Sequence, residues 1–290
     1  MTSDGADRTE LHQAAAGQDL VVELIGCALV IRLNRPQRGN ALVASMRDAM
    51  VAAWRRADHD ARVRAVVVTG TGDRHFCTGV DVAAVASSGR TTTGDGSAAE
   101  EIVWSPLLAG VRKPVICAVN GTVAGGGLHF VADADIVVAS ERAQFLDTHV
   151  SVGMVGGVEN VGLTRRMPIG AVLRMTLQGR SFRLSAQRAY ELGLVDELCA
   201  AGTELATALA IAEEIGQNSP EAVQLSKQAV WGGVGLDHLA AAEFAWTLVK
   251  QHRTHPDFVE GPRAFVERRT PRWVSPPDHK DETSVGSAHG

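Results

Sequence analysis

The sequence has no apolar run long enough to span a bilayer. Its first residues, MTSDGADRTELHQ, are polar and acidic and lack the apolar segment of a secretory signal. Positive charge is not in excess: 28 Lys and Arg against 33 Asp and Glu leave a net charge of −5 at pH 7. That removes the sequence-wide electrostatic case for nucleic acid or an anionic membrane as a partner, although local basic groups can still hold a phosphate. The four cysteines, Cys27, Cys77, Cys117 and Cys199, lie far apart and show none of the short spacings of a metal site. They are expected as reduced, mostly buried thiols of a cytoplasmic protein that needs no metal. No internal repeat is visible in the sequence.

What remains is ordinary for a globular protein. The chain has 290 residues, 45% hydrophobic and 21% charged, enough for one large domain or a domain with an appended subdomain. Residues 1–18 read as a flexible tail and residues 274–290 as another. DLVVELIGCALVIRLNRP reads as two short strands turning at Gly26. NALVASMRDAMVAAWRRADHD carries Leu42, Met46, Met50 and Trp54 at helical spacing. VRAVVVTG and KPVICAVNG are continuous apolar runs, as in strands buried on both faces, and ADIVVASE gives a third. Strands alternating with helices predict an α/β fold of βαβ units around a parallel sheet, with a core over 19–200. The Gly-, Ser- and Thr-rich stretch at 87–100 reads as a mobile loop that shapes a pocket. A helix between the cap candidate Ser185 and Gly193 is expected, and residues 201–273 read as a helical region.

Within this frame one stretch needs a reason. In VAGGGLHFVADADIV, three glycines, Gly125 to Gly127, precede a helical run that places His129 two residues later. Adjacent glycines give up side chains so that backbone can approach something closely, and a helix start offers free N–H groups to an anion. Taken alone, the run also fits a tight turn with close helix–sheet packing.

Six ordered segments carry a resemblance: IRLNRPQRGNAL, HFCTGVD, PVICAVNGTVAGGG, ADADIVVASERAQF, AYELGLVDE and FVEGPRAFVERRTPRW. In order and spacing the chain resembles the crotonase (enoyl-CoA hydratase/isomerase) superfamily over roughly residues 20–273. The resemblance implies a spiral of ββα units followed by a C-terminal helical region that forms trimers, often paired into hexamers. It implies an acyl-CoA thioester as substrate, with CoA present only as part of that substrate and no separate cofactor. It also implies an oxyanion site built from two backbone N–H groups, those of Thr78 and Gly126. Contacts to CoA are implied around Arg38 and Asn40 and along Val80, Asp81 and Val82. Arg38 has the charge to hold a phosphate and reads equally as a surface arginine. Asp81 reads as a loop or helix-cap residue.

The chain departs from the family pattern at the two positions where its hydratases carry glutamates. Both are histidine here, His129 and His149, twenty residues apart as the pattern requires. A histidine pair can do acid–base work near neutral pH, but two neighbouring imidazoles do not both carry charge in a desolvated pocket. A carboxylate is needed to support the charged one, and Asp147 and Glu159 are the candidates. His149 is expected as the base and His129 as the neutral partner, its charge disfavoured by the helix N-terminus. Three functions are therefore open. The first is hydratase or isomerase chemistry through an enolate. The second is hydrolysis of a β-dicarbonyl or thioester with His149 activating water, since β-diketone hydrolases of the superfamily, which need no CoA, resemble the chain at FLDTH. The third is acyl-CoA binding without catalysis.

Overall fold

The computed structural model describes residues 18–89 and 93–274. The expected tails, apart from Gln18 and Val274, and residues 90–92 of the expected loop lie outside the described residues.

A six-stranded sheet forms the centre. Its strands are β1 (Leu20–Ile25), β2 (Ala28–Leu33), β3 (Ala65–Gly70), β5 (Val115–Val119), β7 (Ile136–Ser140) and β10 (Glu197–Cys199), in that order. Only the β1–β2 hairpin is antiparallel, and it turns at Gly26 (φ +56°) as the sequence predicts. The remaining pairings are parallel. Every residue of β3 and β5 is buried, which is why both read as unbroken apolar runs. Alternate side chains go to opposite faces. Leu29, Ile31, Val66 and Val68 join the main core. Ala28, Val30, Ala65 and Val67 face Ala208 and Ala212 on the opposite side.

A second, four-stranded sheet runs β4 (His75–Cys77), β6 (Thr122–Ala124), β8 (Gln144–Leu146), β9 (Leu184–Ser185). Its first three strands are parallel and the last antiparallel. The chain therefore repeats one step: β3 then β4, β5 then β6, β7 then β8, each pair giving one strand to each sheet. The repeat is one of topology, which is why no sequence repeat announces it.

Eleven α-helices are found among the described residues. Helix α1 (Ser45–His59) buries Met46, Met50 and Trp54 as expected. Leu42 lies before the helix and bridges to Val80 instead. Helix α2 (Val82–Ser88) and the single turn α3 (Ala98–Glu101), with a capping box at Ser97 and Glu100, take the two ends of the expected loop, residues 87–88 and 98–100. Glu101 ties it further by accepting from the N–H groups of Gly94 and Gly96. Then come α4 (Leu128–Asp133), α5 (Val158–Leu163), α6 (Ile169–Gln178) and α7 (Ala186–Leu192), the last capped by Ser185 and stopped by Gly193 at φ +87°. Helices α8 (Glu204–Gly216), α9 (Pro220–Gly233), α10 (His238–His252) and α11 (Asp257–Glu267) complete the chain. Among the described residues no helix is long and apolar enough to cross a membrane.

One packing contact matters for the site. Phe76 on β4 and Phe130 on α4 are fully buried and meet edge to face, with centroids 5.9 Å apart. They lock the loop after β4 to the loop after β6. Phe130→Ala would cost about 3–5 kcal/mol and loosen both.

Candidate active site

The C-terminal ends of β4, β6 and β8 lie side by side, so the loops that leave them meet at one place. These loops carry Thr78–Val80, Gly125–Gly127 and Asp147–His149.

After β6 the chain goes from extended at Ala124 (φ −142°, ψ 150°) to a left-handed Gly125 (φ +50°), then a 3-10 turn that runs into α4. A Cβ at Gly127 would sit 2.5 Å from the Cys77 carbonyl oxygen, and one at Gly79 would sit 2.8 Å from the Gly126 nitrogen. These glycines let the two loops touch backbone to backbone. Gly126 is different. A Cβ there would meet only ordinary contacts, 3.7 Å from the Leu42 methyl and 3.7 Å from the Val80 nitrogen. Its glycine keeps open the space beside that nitrogen.

The Thr78 assignment is corrected here. The Thr78 N–H donates to the Gly39 carbonyl at 3.1 Å, and its hydroxyl donates to the same oxygen at 3.1 Å. It has no amide left for a ligand. The neighbouring bridge uses the Leu42 N–H to Gly79 and the Asp81 N–H to Leu42. Among the described residues no acceptor takes the N–H of Val80 or of Gly126. The second of these has no intrahelical partner because it lies in the first turn. Val80 and Gly126 thus each leave an amide open where the loops after β4 and β6 meet, and Thr78 does not.

Asn40 is also corrected. It is fully buried at φ +53°. Its side-chain oxygen accepts from the Arg35 N–H, and its amide donates to the carbonyls of Thr71 and His75 at 3.0 and 2.7 Å. Its side chain braces the segment and has no polar atom left for CoA. Arg38 is exposed on a 3-10 turn. Asp81 caps α2 by accepting from the Ala84 N–H and pairs with Arg35 at 3.1 Å. Partial burial tends to raise its carboxyl, but Arg35 and the cap hold it below its ordinary value. Val82 is half exposed beside it.

The two histidines do meet, through a carboxylate. His149 precedes a short 3-10 turn, and its Nδ1 donates to Asp147 Oδ1 at 2.7 Å and lies 3.1 Å from Glu159 Oε1. The other Glu159 oxygen lies 3.5 Å from His129 Nε2. Asp147 Oδ1 also accepts the His149 backbone N–H at 2.9 Å, and Asp147 Oδ2 accepts Asn160 Nδ2 at 2.6 Å. With Nδ1 engaged, the free nitrogen of His149 is Nε2. It lies 3.9 Å from the point where a Cβ on Gly125 would be, on the glycine turn.

Asp147, Glu159 and His129 are all buried, while the His149 side chain keeps 18% of its surface exposed. The hydrogen bond to Asp147 raises the His149 pKa, against burial and with help from the Glu159 charge. Burial drives His129 down to about 4, and the neighbouring His149 charge adds to the fall. The helix N-terminus is not the main cause: α4 has six residues and the ring is lost to water. Burial tends to raise the Asp147 carboxyl, but His149 and Asn160 outweigh it and hold it low. Burial raises Glu159. The result is one imidazole, His149, whose charged form is favoured by the carboxyl groups beside Nδ1, and one imidazole, His129, held neutral by burial.

Asn160 was invisible to sequence reasoning. Nothing in GGVENVGL separates it from a surface residue, and only the packing of α5 on α4 places it. Among the described residues no cluster of His, Cys, Asp or Glu is arranged to hold a metal ion. A cleft of about 480 Å³ between residues 107–112 and α9–α10, lined by Leu225, Trp231 and Phe244 among others, contains none of the four ionisable residues. We place the candidate site at the glycine turn because four titratable side chains and two open amides lie around it.

A family model described as enoyl-CoA hydratase/isomerase matches residues 26–276. The chain is 34% identical over 263 residues to enoyl-CoA hydratase EchA19 of Mycobacterium tuberculosis, covering 89% of this chain and 97% of that one. It is 31% identical over 267 residues to a carnitinyl-CoA dehydratase of Proteus mirabilis, covering 88% and 98%. A crystal structure of an enoyl-CoA hydratase/isomerase from Mycobacterium paratuberculosis is similar at TM-score 0.80 and 39% identity, covering 89% of this chain and 99% of that one.

Proposed function

This chain belongs to the enoyl-CoA hydratase/isomerase family, within the crotonase superfamily, and from that premise we propose that it transforms an acyl-CoA thioester through an oxyanion held by the N–H groups of Val80 and Gly126, with His149 Nε2 as the proton-transfer atom. The observation that carries this reading is the His149 ring. Its Nδ1 is held by Asp147 at 2.7 Å, and its open nitrogen lies 3.9 Å from where a Cβ on Gly125, the residue before Gly126, would be.

The chemistry follows from those positions. Removing a proton next to a thioester carbonyl pushes charge onto the carbonyl oxygen. Two fixed N–H groups aimed at that oxygen stabilise the anion, each by roughly 3–4 kcal/mol when judged by removal in other enzymes. His149 takes the proton at Nε2 and becomes imidazolium, and Asp147 and Glu159 stabilise the charge that forms. Asp147 keeps its own charge and fixes the tautomer. Neutral His129 sits against Glu159 and takes no proton. The ring then returns the proton to the γ-carbon, which moves the double bond. Alternatively the enolate re-forms its carbonyl as the bond from the β-carbon to a hydroxyl breaks, and the imidazolium gives its proton to that oxygen, releasing water. The reverse of this last step is hydration. The relatives named as hydratases and dehydratases support a CoA thioester as substrate. In the same reading the segment Val80–Asp81–Val82 lies along the CoA arm, and exposed Arg38 meets a phosphate.

Assembly is proposed on separate grounds. Leu239 and Trp246 on α10, and Phe258, Val259, Phe265 and Val266 on α11, are each 45% or more exposed. Leu248 on the same helix as Leu239 is buried within the subunit, and Phe244 is half-buried against Gly232. The exposed set supports a trimer or hexamer.

A hydrolytic reading keeps one supporting observation. An imidazole backed by a buried carboxylate, with one nitrogen open, also suits activation of water. Incubation with enoyl-, saturated and β-ketoacyl-CoA thioesters decides between the readings. A 3-hydroxyacyl product or a shifted double bond supports the enolate route. Free acid or a cleaved chain supports hydrolysis. Binding without turnover across the panel would refute catalysis.

A further inference from the structure

We propose that Asn160 is a positioning residue that acts through Asp147 to hold the His149 ring with Nε2 turned to the glycine turn. This rests on the proton-transfer role of His149 proposed above.

The geometry is specific. Asp147 has two oxygens and one rotatable carboxylate plane. Oδ1 takes both His149 donors, the backbone N–H at 2.9 Å and Nδ1 at 2.7 Å. Among the described residues only Asn160 Nδ2, at 2.6 Å, holds Oδ2. Without it Oδ2 is a buried charged acceptor with no donor among the described residues, and the carboxylate plane is fixed from the His149 side alone. The side-chain amide cannot be the other way round, because its oxygen would then face Oδ2 at 2.6 Å, acceptor against acceptor.

A second observation says the donor is there for a reason. Asn160 is 7% exposed, and its Oδ1 is buried without a partner among the described residues. An apolar side chain at 160 would remove that unpaired acceptor. A fold that tolerates a buried orphan oxygen is using the other end of the amide. Gly156 completes the seat: a Cβ there would lie 2.3 Å from Asp147 Oδ2, 2.6 Å from Asn160 Nδ2 and 3.1 Å from His149 Nδ1. The backbone is pressed onto this triangle, so the three groups have little room to rearrange.

The charged and titratable groups around the ring are Asp147 and Glu159 against Nδ1, and His129 beyond Glu159. Asn160 is the neutral member. Its effect is therefore on the direction of Asp147 and, through it, on the ring.

The test uses the full chain and two variants, Asn160→Leu and Asn160→Asp, with folding checked by circular dichroism. The Nδ1 proton of His149 is followed by proton NMR as a downfield resonance assigned by its loss in His149→Gln. In the native protein the resonance is present. In Asn160→Leu it is lost or broadened by exchange, and kcat falls by roughly ten-fold or more with KM changed little. In Asn160→Asp the introduced carboxyl can replace the amide donor only while it carries a proton. Its kcat relative to native is then highest at low pH and falls as pH rises through the titration of that carboxyl, which the neighbouring Asp147 charge raises. Absence of the resonance in the native protein overturns the proposal. So does a folded Asn160→Leu that keeps the resonance, whatever its kcat. If Asn160→Leu does not fold, a pH-independent ratio for Asn160→Asp overturns it. Loss of the resonance with unchanged kcat supports the positioning role and refutes proton transfer by His149, so the two claims fail separately.

Discussion

Asp147→Asn exchanges one buried oxygen for an NH2 group at a place where both oxygens face donors. Oδ1 accepts twice from His149, and Oδ2 accepts from Asn160 at 2.6 Å. The introduced amide has one acceptor to offer. If its NH2 group faces Asn160, two donors meet and each loses its partner, at about 1–3 kcal/mol for a buried unsatisfied group. If its NH2 group faces His149, the ring must accept at Nδ1 and carry its proton on Nε2, where it can no longer act as a base. The lost charge also lowers the His149 pKa. An opposite charge in contact favours the imidazolium, and Glu159, 3.1 Å away, remains to supply part of that effect, so the His149 pKa falls but keeps some of its rise. With the wrong tautomer added, kcat should fall by about 10²-fold or more, and the midpoint of the rise of rate with pH should move down. The assay is the pH–rate profile of turnover on a CoA thioester, with melting temperature as the control for folding. Asp147→Asn combined with Asn160→Asp restores a donor facing an acceptor and should recover roughly ten-fold over Asp147→Asn alone. An Asp147→Asn enzyme with native kcat and an unmoved midpoint would refute the reasoning.

Other outcomes follow from the same contacts. Gly126→Ala adds a methyl 3.7 Å from the Val80 nitrogen and meets no clash. Stability should change by less than about 1 kcal/mol while turnover falls by roughly ten-fold or more, read by thermal melts and kinetics. His129 has a folded pKa of about 4, so the unfolded chain binds more protons between about pH 4 and 6.5 and stability rises with pH there. Unfolding in urea should show about 3 kcal/mol lost between pH 7 and pH 4 from this residue, and His129→Asn should remove that slope. His149 has the opposite sign. Its raised pKa stabilises the fold below about pH 6.5, and that contribution is lost as pH rises through the raised value. Glu159→Gln should lower the kinetic midpoint by less than Asp147→Asn does, since its contact with Nδ1 is the longer of the two. An equal or larger shift would reverse the assigned order.

The parts of the fold that were legible are those where local pattern and burial agree. β3 and β5 are buried along their whole length and read as apolar runs, and the helix from Ser185 to Gly193 has both its stops in the sequence. The twenty-residue separation of His129 and His149 was legible as well, because adjacent turns of the spiral bring the ends of β6 and β8 together. What could not be read was the backbone's own hydrogen bonding. Thr78 and Val80 flank the same glycine, and only the position of the Gly39 carbonyl decides which N–H is left open. Asn40 has a side chain suited to a ligand, yet its φ of +53° and its burial turn all its polar atoms inward. The stretch at 87–100 has the composition of a loop, and the capping box at Ser97 with Glu101 on two glycine amides makes a turn of helix from it. The sequence pattern also suggests that glutamate at both 129 and 149 would restore a hydratase pair. In the structure those two carboxylates would join Asp147 and Glu159 with no cation among them, so the double change should destabilise the site.

The central claim is that His149 Nε2 moves a proton at the carbon beside a thioester, with the charge held at Val80 and Gly126. The most direct measurement is exchange of the α-protons of butyryl-CoA in deuterated water, followed by mass spectrometry or proton NMR. It requires only binding and deprotonation, whatever the physiological product. The account predicts exchange above the enzyme-free rate in the native protein, faster as pH rises through the raised His149 value, and loss of that exchange in His149→Gln. Exchange that persists undiminished in a folded His149→Gln would contradict it.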